Sequence, residues 1–242
     1  RSAYTNHGKA YGLFLRITEE HLDVDPDDLP EAEFFAKSLV AVAGYWLQGL
    51  PAIGVRVNPQ RAAEYLDSAA SVFQDEDAQF ELAKLYLLGE GVPKDIRKGV
   101  HWLSTLTQAN HAGAQAFLAE LYRRGRYVEQ DFARALALIE TAVRNAPPHE
   151  RFWIEGVYQT IYCGTPPHVR RQADGLVANF KRQFSVRPPS EADRLELGLE
   201  ASRTCSGSGE RVPIPGRPLQ LPQIDAPAGG QAAAPSGPPI VQ

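Results

Sequence analysis

Tyr86, Tyr122 and Tyr158 stand 36 residues apart, and around the first two the whole neighbourhood repeats. Ala78-Gln79 returns as Ala114-Gln115, Leu82-Ala83 as Leu118-Ala119, Leu85-Tyr86 as Leu121-Tyr122, Gly89 as Gly125, Val92 as Val128 and Asp95 as Asp131. A period of this length marks a solenoid of supersecondary units, each unable to bury its apolar face alone. Each unit reads as two helices. Ala78, Leu82, Leu85 and Tyr86 recur at helical spacing. Gly89 stands where a C-terminal cap needs left-handed backbone, and Asp95 caps a second helix running to about Ala109. In the next unit Phe132, Ala135, Leu136, Ile139, Ala142 and Val143 form one apolar stripe.

These residues resemble a known family. Ala78-x-x-x-Leu82-Ala83-x-x-Tyr86-x-x-Gly89-x-Gly91-Val92-x-x-Asp95-x-x-Lys98-x-x-x-Trp102 looks like a Sel1-like repeat, a relative of the tetratricopeptide repeat. The usual motif has Leu-Gly at Leu82-Ala83, Lys-Ala at Lys98-Gly99, and often Gly at Asn110. Upstream, Trp46-Leu47-Gln48-Gly49 and Asn58-Pro59-x-Arg61-Ala62 resemble a stretched unit whose loop carries about three extra residues. Phe152–Tyr162 and Val169–Phe184 read as a degenerate closing unit. The resemblance implies an all-α, right-handed solenoid of antiparallel helix pairs. The expected divisions are an N-terminal helix and acidic connector (1–30), a divergent repeat (31–76), two regular repeats (77–113 and 114–148), a capping repeat with a terminal helix (149–205), and a tail (206–242).

The ends of the chain add expectations of their own. The chain begins at Arg1 and contains no Met, which points to a processed or trimmed start. A removed secretory signal is one explanation, and a chain cut to a domain is the other. Cys163 and Cys205 could form one disulfide fastening a helix at Glu191–Ser202 to the solenoid, the alternative being two thiols in a reducing compartment. Residues 206–242 hold eight prolines, six glycines and no aromatic residue, so a flexible spacer is expected there. Its apolar points, Val212-Pro213-Ile214-Pro215 and Leu219-Gln220-Leu221-Pro222, could instead dock in a partner.

Charge and motif content narrow the function. A net charge of −4 argues against bulk nucleic-acid binding, and no apolar run is long enough to span a bilayer. Glu19 to Glu33 hold eight acids and no Lys or Arg. Asp23-x-Asp25-x-Asp27 begins like a calcium loop, but Asp28 and Phe34 stand where that loop needs Gly and Glu. An acidic connector leading into a helix near Pro30-Glu31 fits better. None of the six histidines has metal-ligand spacing, and His101 and His111 read as structural. No nucleophile elbow or phosphate-cradling loop is present. No metal, cofactor or enzyme activity is therefore expected. Arg170, Arg171, Lys181, Arg182 and Arg187 read as a solvated helix face, with an anionic partner surface as the alternative.

The resemblance implies a protein-binding scaffold whose first helices line a concave face. The positions left free by the repeat are Phe80, Lys84, Leu87, Leu88, Phe117, Glu120, Arg123, Arg124 and Arg126. Two phenylalanines beside a basic cluster suit an acidic peptide, unless Phe80 and Phe117 simply pack against the neighbouring helix. Within the family, the arrangement is similar to periplasmic repressors of exopolysaccharide synthesis that inhibit a membrane sensor kinase. This implies an adaptor or regulator in the periplasm whose partner is another envelope protein, such as a sensor's periplasmic domain. A constitutive structural subunit of an envelope complex, anchored by its Pro-rich tail, is the alternative.

Overall fold

The computed structural model describes residues 3–21, 23–28 and 30–184, with side chains from His7 onward. The described residues are all-helical: α1 (Ala3–Glu20), α2 (Glu31–Gln48), α3 (Pro59–Ser71), α4 (Glu76–Leu88), α5 (Ile96–Gln108), α6 (Ala112–Arg124), α7 (Phe132–Asn145), α8 (Arg151–Gly164) and α9 (Pro167–Phe184). Successive helices pack on one another from α1 to α8, whereas α9 packs back on α7. This is the helix-pair solenoid that the repeat requires. The terminal helix at 191–202, Cys205 and the tail lie outside the described residues.

The recurring aromatic is explained by a three-part clasp between the two helices of a unit. The carbonyl of Tyr86 accepts the main-chain N–H of Asp95 (2.9 Å). The Asp95 carboxylate then accepts the N–H of Lys98 (2.9 Å), capping α5. The ammonium of Lys98 returns over the Tyr86 ring, 4.1 Å from its centre. The next unit repeats the pattern. The Tyr122 carbonyl accepts from Asp131 (3.1 Å), Asp131 caps Arg134 (2.8 Å), and Arg134 lies 5.4 Å over Tyr122. In the first unit Trp46, Asn58 and Arg61 do the same, at 2.8, 3.0 and 4.5 Å.

The extra residues of the first unit do not disturb its clasp. They fold outward as a small loop in which Leu50 and Val55 pair antiparallel (Leu50 N to Val55 O, 2.7 Å) around a 3-10 turn at Pro51–Ile53. Gly54, left-handed at φ 80°, closes that turn.

A second device joins one unit to the next. Gln79 Nε2 donates to the carbonyl of Ala70 at the end of α3 (3.3 Å), and its counterpart Gln115 donates to Thr107 at the end of α5 (3.2 Å). Gln115 is fully buried and also accepts from Asn145 Nδ2 (3.0 Å). The turns before α4 and α6 place Gln74 (φ 54°) and Asn110 (φ 68°) in left-handed backbone. The third unit departs at the equivalent point: Ala146 is extended and Pro147 follows, as the residue before a proline prefers. Tyr158 is 8% exposed, between the fully buried Ile154 and Ile161. It is therefore a core position of the closing unit.

Candidate interaction surface

Four of the nine residues expected to read a ligand are instead buried. Phe80 (5% exposed) and Phe117 (8%) meet edge to face, 5.9 Å apart, across neighbouring first helices. Leu87 (1%) packs on α5, and Glu120 (4%) is enclosed on α6. The reason is that α6 has no free face: every residue from Ala112 to Leu121 is buried. A helix hydrophobic or small all round is a core helix, and its "free" positions are packing positions.

The basic residues are also occupied. Arg123 grips Glu120 with two bonds of 2.6 Å, and Arg124 Nε adds a third to the same carboxylate. Burial would raise the Glu120 pKa, but the two guanidiniums outweigh it and hold it below the ordinary value. Arg126 bonds the Tyr127 hydroxyl (2.9 Å) and lies over that ring. Lys84 bonds Glu81 (2.6 Å) and covers the Phe80 ring. Leu88 is half-buried. The acidic-peptide site expected here is thus largely core packing and local ion pairing.

A row of linked polar groups lies near the starts of α2, α4, α6 and α8, with Lys37 and Asp77 exposed and Asp75 and the His111 side chain buried. Lys37 Nζ of α2 reaches Asp75 (2.8 Å) and Asp77 (2.6 Å) at the start of α4. Asp75 is the cap of α4, accepting from Ala78 N at 2.8 Å. The other oxygen of Asp77 meets His111 Nε2 (3.2 Å). His111 caps α6: its Nδ1 accepts from Ala114 N (3.1 Å), so the proton shared with Asp77 sits on Nε2. Glu150, at the start of α8, lies close to Gly113 and among His111, Asp77, His149 and Lys84.

The electrostatics follow from this ladder. The hydrogen bond from His111, helped by Lys37, holds the Asp77 carboxyl far below the usual carboxylate range. Burial works against the charged form of Lys37, but Asp75 and Asp77 outweigh it and raise its pKa. Burial pushes Glu150 upward. Sequence reasoning missed this row because its members sit in caps and first turns, outside the helical stripes. The signal was present: Asp75 and His111 are 36 residues apart and Lys37, Asp77 and Gly113 are equivalent repeat positions.

Beside the row lies a cleft of about 340 Å³ between the starts of α2 and α4, walled by Pro26, Ala32, Ala36 and Phe73 with Glu33, Lys37, Asp75 and Glu76. The Asp23–Asp28 connector reaches it through Pro26 and folds as a turn, with Asp27 N bonding Asp25 Oδ1 (3.0 Å) and Asp28 N the Asp25 carbonyl (3.0 Å). Cys163 is exposed near the end of α8, and the pairing expected for it involves Cys205, outside the described residues. Among the described residues no helix is long and apolar enough to cross a membrane.

The family comparison agrees with this repeat architecture. The Sel1 repeat family matches at residues 36–71, 76–111 and 112–146. The exopolysaccharide production negative regulator of Rhizobium meliloti (strain 1021) is 26% identical over 178 residues, covering 74% of this chain and 64% of its own length. The protein of the same name from Rhizobium leguminosarum bv. viciae is 26% identical over 168 residues, covering 69% and 60%. The chain therefore spans less than two thirds of the length of these relatives. A Sel1 repeat protein from Oxalobacter formigenes is a structural neighbour with a TM-score of 0.48 at 21% identity, covering 73% of this chain and 69% of its own. The Escherichia coli protective antigen c5321, of SLR fold, gives 0.43 at 19%, covering 84% and 50%. The clasps repeat in register with the three matched segments, so the chain carries three Sel1 repeats over residues 36–146.

Proposed function

We propose that this chain is a periplasmic regulator that acts by binding another envelope protein, such as the sensor domain of a kinase, and not by catalysis. The observation that carries the reading is the similarity to two exopolysaccharide production negative regulators across 74% and 69% of the chain. The repeat family is one that mediates protein–protein contact, which fits a role exercised through a surface. That surface is the row near the helix starts from Lys37 to Glu150, where the exposed Lys37 and Asp77 stand beside the more enclosed His111 and Glu150.

The test joins a phenotype to a partner. Disrupting the gene should raise exopolysaccharide output, and affinity capture of the full chain from native membranes should recover a sensor kinase. Unchanged output would remove the regulatory role. Raised output with no membrane protein captured would leave a regulator acting by another route. Cell fractionation that finds the protein in the cytosol would end the envelope assignment.

A further inference from the structure

We infer that the cleft between the starts of α2 and α4 receives an arginine- or lysine-bearing segment of a partner polypeptide, an inference resting on the binding role proposed above. Its apolar lining is the buried Ala32 and Ala36 of α2, the half-buried Phe73 of the α3–α4 turn and the exposed Pro26 of the connector. Its rim is acidic. Glu33 and Glu76 are exposed, and Asp75 lies on its wall. Among the described residues the one cation on that wall, Lys37, is already bound to both Asp75 and Asp77 and cannot answer the remaining carboxylates. Asp25, Asp27 and Asp28 of the connector flank Pro26 and are all exposed, adding the same sign of charge.

An apolar lining under an acidic rim matches a long cationic side chain. Such side chains lay their methylenes on apolar surface and carry the charge to the edge. Here the stem would lie on Pro26 and the Phe73 ring, with the head bonding Glu33 and Glu76. An acidic segment would meet repulsion from the same carboxylates. Phe34, 71% exposed and one turn before Lys37, supplies an apolar contact beside the cleft for a neighbouring residue of the segment. The geometry thus reverses the charge of partner that the arginines after Tyr122 suggested.

Selection of a random displayed peptide library against the full chain, followed by affinity measurement on the selected peptides, tests this. Selected peptides should carry net positive charge with Arg or Lys next to an apolar residue. Their affinity should fall about tenfold or more in Glu33→Lys/Glu76→Lys, and fall again as salt rises. Arg124→Gln should bind as the parent does. Glu33→Gln/Glu76→Gln, which adds no new charge, guards against misfolding and should weaken binding in the same direction, with thermal melts confirming a folded protein. Acidic selected peptides, or affinity that survives both double variants, would overturn the inference while leaving the binding role standing. A library that yields no binder at all would count against that role and this site together.

Discussion

Gly91 and Gly99 both lack room for a methyl group, yet the consequences differ. Gly91 sits at φ 73°, and a Cβ there would lie 2.2 Å from the Pro59 carbonyl oxygen of the preceding unit. Neither the backbone angle nor a main-chain neighbour can yield cheaply, so Gly91→Ala should cost about 2–4 kcal/mol. Gly99 is helical, and its Cβ would meet the side chain of Leu87 at 2.7 and 2.8 Å. The Ala83 carbonyl oxygen is also near, at 3.0 Å, but the closest clash is with a side chain that can move, so Gly99→Ala should cost about 1–2 kcal/mol. Combined with Leu87→Ala, the pair should cost about 1 kcal/mol less than the sum of the two single changes. Urea unfolding of the three variants checks this, and strict additivity would show that Leu87 is not why the position is Gly. The same contact explains a departure from the family pattern. Where the usual motif has Ala, this unit has Gly99 because Leu87 intrudes. The next unit has Ala135, and there Leu87's counterpart is Arg123, which is held to Glu120 on its own helix.

At the scale of elements, the first-turn row should show in the acid limb of stability. An ordinary aspartate titrates near pH 4, and the folded-state pKa of Asp77 is depressed below that. A depressed carboxylate contributes stability that is present above the unfolded pKa and is lost as pH falls through it toward the folded value. Asp77 is half exposed, so the contribution is of order 1 kcal/mol or less. Thermal melts of Asp77→Asn against the parent should therefore differ fully above about pH 5 and begin to converge only as pH falls below about 4, with most of the difference still present at about pH 3. A difference that stays constant with pH would mean that Asp77 acts through shape and not charge. Glu120 works in the same direction, whereas Glu150 and Glu155, raised by burial, lose their contribution as pH rises.

The elements also show why the helices were legible and the site was not. The left-handed Gly89 and Asn110, the Asp95 and Asp131 caps and the start of α2 at Glu31 are local chemistry, readable from a few residues. Phe80 and Phe117 look free because a helical stripe describes one buried face, and helices between neighbours bury two or three. Glu120 is a charge on a buried face, and only the fold places Arg123 and Arg124 where they neutralise it.

At the scale of the whole molecule, the stack ends on a unit that packs differently from the repeats before it. The closing unit docks α9 on α7, with Lys181 of α9 bonded to Glu140 of α7. A bond from Cys163 to Cys205, which we propose, would tie the following segment to α8 and close a loop of about 40 residues, stabilising by about 3–4 kcal/mol. Denatured, unreduced protein should then show no reactive thiol, and reduction should lower the melting temperature. Two reactive thiols would end the proposal.

The clasp has a consequence for how such a chain can vary. Trp46, Asn58 and Arg61 meet as closely as their counterparts do, although the chain between them is longer. The register of the stack is therefore indifferent to the length of the connection, which only has to leave and return to the same two anchors. A lineage can lengthen or recode that excursion without re-solving the packing beneath it, so the connections are where one scaffold could acquire new specificities.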